Sequence, residues 1–459
     1  MSTPRVVRLP VIQESQSSLR ADGTRNWVYP ADVHGRWLLA RRMVFGLLII
    51  IWATLPFLEV HGRPLMQLNV ELRRFFIFGA TFGAQDAWLL IFVFGGIGLA
   101  LVVATTLWGR VWCGWACPQT VFLEGFFRPI ERLIEGNREA RMRLDKAPMS
   151  AGKLAKKLLK HAIFILTAAF VAHMFVGYFV TPWKLWAMIG EGPGRHPEAF
   201  AWATGLTGLF YGNFARFREQ TCVGVCPYGR LQSVLIDRNT VVVGYDSKRG
   251  EPRGKVNSGA GDCIDCKRCV VVCPMGIDVR NGLQPDCINC AQCIDACDEI
   301  MDKVHQPRGL IRHEALNVLE GGARQILRAR TYLYLAVALL WVIGAVFAFR
   351  GHTTFEAAVA RVGATPFVVE GDSVKNAFTV HIVNKRGASG TFTISATGDG
   401  VTFTIPIVRA ELAGFATTTL PVIATVPRGR VSAPITIEVR SGNSSRKVNA
   451  VVLGPGAGS

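Results

Sequence analysis

Long uncharged apolar runs alternate with strongly basic stretches along this chain. That pattern reads as helices crossing a bilayer, each needing about 17–25 largely apolar residues. Ala87 to Trp108, His161 to Val180 and Thr331 to Phe349 fit it directly, the last bracketed by Arg330 and Arg350. Met43 to Leu58 is shorter but dense in Leu and Ile, and Trp37 to Ala40 supply an interfacial belt ahead of Arg41 and Arg42. Ala199 to Ala215 is uncharged but heavy in Gly, Ala and Thr. Small residues allow close helix packing in lipid, so topology has to decide whether this segment crosses. After Arg350 the period changes. Phe378 to Val383, Thr391 to Ser395 and Ile435 to Val439 alternate with a period of two between Gly, Asn and Pro clusters, which predicts short strands and an Ig-like β-sandwich. That region carries no cysteine and no evident catalytic set, and reads as a docking or folding module.

Charge orients the spans. The chain of 459 residues is half hydrophobic yet has a formal net charge of +18. Eleven Lys and Arg fall between Arg110 and Lys160 and seven before Met43, whereas Val60 to Gln85 and Thr181 to Glu198 hold few. The bias of basic residues toward cytoplasmic loops places the N-terminus and the Arg110–Lys160 segment inside. If Ala199 to Ala215 crosses, the cysteine-rich stretch from Arg216 to Arg330 is cytoplasmic and the C-terminal domain periplasmic. If it does not, thiols that suit a reducing compartment would face an oxidising one. Both arguments favour five spans in a bacterial inner membrane. The first 40 residues contain no apolar core, so no cleavable signal peptide is expected. The run Arg138, Arg141, Arg143, Lys153, Lys156, Lys157 and Lys160 reads as a topology signal facing anionic lipid, with no nucleic-acid role.

The expected fold is therefore a membrane α-helical protein of about five transmembrane helices, with an inserted two-cluster ferredoxin-like domain and a C-terminal all-β Ig-like sandwich. The expected boundaries are an N-terminal cytoplasmic segment over 1–36, a membrane domain with four helices over 37–230, the ferredoxin-like domain over 231–328, a fifth helix over 329–350 and the sandwich over 351–459.

The cysteines carry the chemistry. All twelve stand in Cys-x2-Cys or Cys-x3-Cys spacings between Cys113 and Cys297. Cys263, Cys266, Cys269 and Cys273, the last followed by Pro274, form one run; Cys287, Cys290, Cys293 and Cys297 form a second. In two-cluster ferredoxins three cysteines of each run hold one cubane and the fourth crosses to the other. That assigns Cys263, Cys266, Cys269 and Cys297 to one 4Fe-4S cluster, and Cys287, Cys290, Cys293 and Cys273 to the second. A pair of zinc sites is the bland alternative, but zinc rarely uses triplets this tight. Asp298 stands where the second run could have had a proline.

A second motif occurs twice, as Cys113-Gly-Trp-Ala-Cys117-Pro118 and Cys222-Val-Gly-Val-Cys226-Pro227, each time just after a span that runs inward. Residues four apart share a helix face, so both sulfurs of a pair can point one way, and the proline ends or kinks the helix at Cys117 and Cys226. Paired soft thiolates suit Cu(I), zinc or dithiol redox chemistry; the alternative is four packed structural thiols. His173 and Met174 lie inside the third span, where they are candidate copper or haem ligands, although an intramembrane His as readily bonds backbone. No G-x-G-x-x-G stands between a strand and a helix, so a separate cytoplasmic electron donor is expected.

With Trp112-Cys-Gly-Trp-Ala-Cys-Pro-Gln-Thr-Val121, Cys222 to Pro227, the insert, and Cys293-Ile-Asp-Ala-Cys-Asp-Glu-Ile-Met-Asp302 running on to Pro307-Arg-Gly-Leu-Ile311, the chain resembles the cytochrome c oxidase accessory proteins called CcoG, FixG or RdxA. The resemblance covers nearly the whole length; Met1 to Val33 contribute nothing to it. It implies a reductase converting Cu(II) to Cu(I) during assembly of a cbb-type oxidase. Cys113, Cys117, Cys222 and Cys226 would be the copper-proximal, catalytic thiols, with transient copper passed to an oxidase assembly factor or copper chaperone. Two other readings stay open: an electron-transfer subunit of a quinol-linked respiratory complex, and a redox-sensing assembly scaffold.

Overall fold

The structure, a computed structural model, describes residues 25–455 apart from 61–62, 72, 79, 84–85, 256–258, 351–353, 364 and 430–431. Residues 1–24, where the absence of a signal peptide was expected, lie outside the described residues. The chain divides into two compact units, Met1–Gln67 with Ile91–Ile343, and Leu68–Leu90 with Gly344–Ser459.

Among the described residues, four helices are long and apolar enough to cross a membrane: Arg36–Phe57, Leu89–Trp108, Ala151–Val180 and Ala329–Arg350. The third starts ten residues before its apolar part, because Ser150 caps it by accepting from the Lys153 N–H and the basic turns that follow continue the helix. The fifth expected span is different. Pro197–Tyr211 is α-helical for only 15 residues and then widens into a π-helical turn, Gly212–Phe217. Arg218 closes that turn in a left-handed conformation (φ 54°), its N–H bonding the Asn213 carbonyl at 2.6 Å. The end of this helix packs on the first half of Ala151–Val180: Phe214 joins Phe164, Ala168 and Phe127 in one apolar cluster, and Tyr211 bonds His161 at 3.0 Å.

The insert folds around two short helices, Arg268–Val271 and Gln292–Lys303, each beginning just before the third cysteine of a run. In both runs the residues flanking the second cysteine take positive φ: Asp265 and Lys267 around Cys266, Asn289 and Ala291 around Cys290. None of the four is glycine, so both runs accept the same costly path. Strands Val241–Tyr245 and Ile311–Ala315 close the insert as an antiparallel pair with Val241 opposite Ala315.

In the other unit, Phe355–Arg361, Ser373–Asn384, Thr417–Pro427 and Thr402–Thr404 form one antiparallel sheet, with Val368–Glu370 on Ser373–Asn384. Arg409–Leu412, Gly390–Thr397, Ser432–Ser441 and Ser444–Leu453 form the second. Alternate residues of both sheets, among them Val374, Phe378, Val380, Phe392, Val422 and Ile437, make one core. Leu68–Leu90 also belongs to this unit. It carries Arg74–Ile77 paired with Ala80–Gly83, and it is tied down by Arg74, whose guanidinium donates to the Phe415 carbonyl at 3.0 Å, and by Asp86, whose carboxylate meets Lys385 at 2.6 Å.

Candidate functional site

Two cavities collect the eight cysteines of the insert, and they do so by crossing the runs. One is lined by Cys263, Cys266, Cys269 and Cys297 with Tyr245, Arg280, Met301 and Ile311. The other is lined by Cys273, Cys287, Cys290 and Cys293 with Val243, Met275, Ile277 and Ile288; Cys269 reaches its wall too, so the two sites adjoin. Burial pushes the Cys269, Cys273 and Cys297 thiols up to about 12 and Cys287 up to about 11. Such thiols stay protonated at neutral pH unless a metal replaces the proton. Four sulfurs in a mostly apolar enclosure fit a cubane in each cavity.

Of the other four cysteines, Cys113 and Cys222 pack against the residues that line the insert's second cavity. Gly109, at φ 59°, turns the chain out of helix Leu89–Trp108 and into the short helix Val111–Trp115 that carries Cys113. The expectation that each pair shares a helix face does not hold. Pro118 and Pro227 force Cys117 (ψ 128°) and Cys226 (ψ 110°) into extended backbone, and each becomes the cap of the following helix. The two halves do repeat in detail: the Cys117 N–H bonds the Trp112 carbonyl and the Cys226 N–H bonds the Thr221 carbonyl, both at 2.8 Å and both five residues back. The four sulfurs are near enough to feel one another. Cys222, pushed up to about 12 first by burial, is also raised by Cys117, Cys113 and Cys226. Burial likewise raises Cys113 and Cys117, against the opposing pull of Arg110. Among the described residues no group of three or more His, Cys, Asp and Glu, in the insert or at the boundary, converges tightly enough for a single ion.

Gly114 fixes their distance from the insert. A Cβ there would stand 2.2 Å from the Ile288 carbonyl oxygen and 3.2 Å from Cys290 Cα, so the backbone between Cys113 and Cys117 lies directly on the loop between Cys287 and Cys290. Cys113 packs in one cluster with Met275, Ile277, Ile288 and Cys290, flanked by Cys222, Cys273 and Cys287. Trp115 Nε1 donates to the Asn289 carbonyl (3.1 Å), and Asn289 Nδ2 donates to the Trp108 carbonyl (2.8 Å).

Sequence reasoning missed the polar side chains that hold this junction. The Cys113 thiol donates to Gln232 Oε1 at 2.9 Å, and Gln232 Nε2 donates to Thr105 Oγ1 at 3.0 Å. Arg110 donates through Nε to Gln232 (3.3 Å) and through Nη1 to the Pro285 carbonyl (2.5 Å), with Nη2 3.9 Å from Cys113 Sγ. A buried Arg three residues ahead of the first cysteine is the one signal that could have flagged it. The basic run also behaves differently from expectation. Arg141 and Lys160 are buried and turn inward, to Glu131 (3.2 Å) and Glu135 (2.8 Å), because those carboxylates need partners once buried. His173 Nδ1 lies 2.7 Å from the Ala169 carbonyl of its own helix, the backbone bond that was the alternative to metal ligation.

Known protein families match three parts of this chain. A 4Fe-4S dicluster domain profile matches residues 217–316, a 4Fe-4S binding domain profile matches 87–137, and the IG-like fold found at the C-terminus of FixG matches 345–453. Protein RdxA of Cereibacter sphaeroides is 34% identical over 394 residues, covering 82% of this chain and 83% of the relative. Protein RdxB of the same organism is 35% identical over 398 residues, with the same coverage. The nitrogen fixation protein FixG of Rhizobium meliloti is 33% identical over 469 residues, covering 88% of this chain and 87% of the relative.

Proposed function

The chain belongs to the RdxA and FixG family of membrane iron-sulfur proteins, and from that premise we propose that it is a one-electron cupric reductase acting in assembly of a cbb-type oxidase. Cys263, Cys266, Cys269 and Cys297 would hold one 4Fe-4S cluster, and Cys273, Cys287, Cys290 and Cys293 the other. A bound cluster supplies reversible one-electron chemistry. The chain's own residues keep water out, keep the two sites adjoining through Cys269, and set the boundary thiols against the second site. Cu(II) is the substrate, and one electron converts it to Cu(I). Cys113, Cys117, Cys222 and Cys226 bind the product as thiolates, releasing their protons, and a soft sulfur set favours Cu(I) over Cu(II). The observation that carries the reading is the seating of Gly114 on Ile288 and Cys290. Titration of cluster-replete protein with Cu(I) tests it: binding is expected in wild type and is lost in Cys113→Ser/Cys222→Ser with iron unchanged. Copper binding that survives in the double variant would refute it.

One observation favours a second reading. The 4Fe-4S binding profile over 87–137 contains only Cys113 and Cys117 as cysteines, and two such half-sites could share a third cluster, as suits an electron-transfer subunit of a larger complex. Iron analysis separates the two: about eight irons per chain favours the reductase, about twelve the relay.

The same proposal places the insert in the cytoplasm and the sandwich on the opposite face of the inner membrane, with five crossings. Two features support it beyond the charge bias. Leu68–Leu90 shares a compact unit with Gly344–Ser459, which supports a common side for the loop after the first span and the C-terminal domain. The insert packs on residues 110–118, so the crossing by Ala151–Val180 needs a return through Pro197–Phe217, whose 21 helical residues span about 30 Å. Reporter fusions at Gly321 and after Phe355 should report inside and outside respectively. A common side for both would overturn the topology.

A further inference from the structure

Beside the second cysteine run lies a cavity of about 60 Å³ that neither cysteine system uses. Its walls include Pro30, Arg41 and Phe45 of the first membrane helix and its approach, and Glu124, Arg128 and Arg141. The three arginines are 1%, 5% and 2% exposed. Glu124 is the one carboxylate among the lining residues; it pairs with Arg128 and lies 3.9 Å from Arg41. Each arginine is anchored elsewhere: Arg41 by the Gly114 carbonyl (2.7 Å), Arg128 by Glu219 (3.2 Å), Arg141 by Glu131 (3.2 Å) and the Pro30 carbonyl (2.8 Å). Yet each keeps one buried nitrogen without a hydrogen-bond partner, Arg41 Nη2, Arg128 Nε and Arg141 Nε. Buried cations short of acceptors are costly, and three buried arginines lining one cavity with a single carboxylate suit a ligand with several anionic oxygens.

We propose that this cavity binds a phosphate group, whether the headgroup of an anionic phospholipid or free phosphate. One water needs about 10–15 Å³ of such a cavity, so the space suits the four oxygens of a phosphate. Guanidinium forks match phosphate better than any other side chain does. Exposed Arg42 also lines the cavity. Arg41 and Phe45 lie in the first turns of a membrane helix, the depth at which headgroups sit. Occupancy would act on both cysteine systems, because Arg41 bridges them. Its Nε holds the Gly114 carbonyl between Cys113 and Cys117, and its Nη1 reaches Gln292, between Cys290 and Cys293, at 2.8 Å when that amide turns its oxygen toward it. The phosphate would thus steady the residue that keeps the two loops in register.

The test uses full-length, cluster-replete protein in a phosphorus-free detergent after delipidation. Thermal unfolding is followed with phosphatidylglycerol in mixed micelles in one arm and inorganic phosphate in the other. Protection by the lipid with none by phosphate identifies a headgroup site; protection by inorganic phosphate at least as strong identifies a free-ion site. Arg42→Glu, at an exposed position and so safe for folding, should weaken the effective ligand by about fivefold or more, and Arg41→Gln should abolish the protection. Iron content of both variants reports that they are folded. Protection by neither compound, or equal protection in wild type and both variants, would overturn the proposal whatever becomes of the copper reading.

Discussion

The insert and the membrane boundary hold the same residue type by different means. In the insert, two runs follow the same backbone path, with left-handed residues at Asp265 and Lys267 and again at Asn289 and Ala291, and each cavity closes by borrowing a fourth cysteine from the other run. At the boundary, two Cys-x3-Cys-Pro loops from distant parts of the chain meet, and side chains from elsewhere position them: Gln232 and Arg110 at Cys113, Arg41 at Gly114. The first arrangement is built from local spacing and suits a permanent, enclosed cofactor. The second is assembled from tertiary contacts, and on the proposed reading it holds a ligand that arrives and leaves.

The comparison breaks most visibly at the crossing cysteines. Cys273→Ser should cost the cluster held by Cys287, Cys290 and Cys293, taking iron from about eight toward about four per chain. If the cluster of its own run were lost instead, the crossed ligation would be wrong; paramagnetic resonance of the remaining centre tells them apart. Gly114→Ala comes next. Its methyl has no room against the Ile288 carbonyl, so it should destabilise the protein by about 1–3 kcal/mol and part the two systems. The expected readout is retained iron with slowed copper reduction, and an unchanged rate would remove Gly114 from the account.

Acidity offers a third handle. Burial pushes Cys222 up to about 12 and raises Cys113 and Cys117, so these three thiols are protonated at pH 7 and must release protons to bind Cu(I). Affinity should therefore rise with pH, up to about tenfold per pH unit for each thiol deprotonated. In apo-protein the sign reverses. A thiol whose folded pKa lies above its unfolded value stabilises the fold below about pH 9, and that stability is lost as pH climbs toward 12. A Cu(I) titration at pH 6, 7 and 8 that shows flat affinity would mean the thiols are not the ligands. Arg110→Gln should raise Cys113 further and weaken Cu(I) binding at fixed pH, with iron unchanged. The smallest effect is expected at His173, which bonds its own helix: His173→Leu should leave iron content and Cu(I) affinity as in wild type.

What could be read from the chain depended on how local its causes are. The clear spans, the two cysteine runs and the alternating strands are set by spacing and hydropathy within 20 residues or so, and they stand in the structure close to where expected. At Cys117 and Cys226 the expected effect of the following proline prevailed over helical periodicity, so the paired cysteines do not share a helix face. The short helix Pro197–Tyr211 was uncertain for the composition that also lets it pack closely on its neighbour. Leu68–Leu90 joining the C-terminal unit, Gln232 reaching Cys113 and the inward turn of Arg141 and Lys160 were illegible, since each depends on a partner far along the chain.

The central claim is that electrons leave the insert through the boundary thiols. It is tested most directly by reducing cluster-replete protein anaerobically, adding Cu(II) with a Cu(I) chelator, and following iron-sulfur absorbance and chelated copper together in wild type and in Cys113→Ser/Cys222→Ser. The account predicts that wild type reoxidises with one Cu(I) formed per electron lost, while the double variant keeps its absorbance in the reduced form and reoxidises more than an order of magnitude more slowly. Reoxidation of the double variant at the wild-type rate would show that copper reaches the insert without these thiols, and would contradict the account.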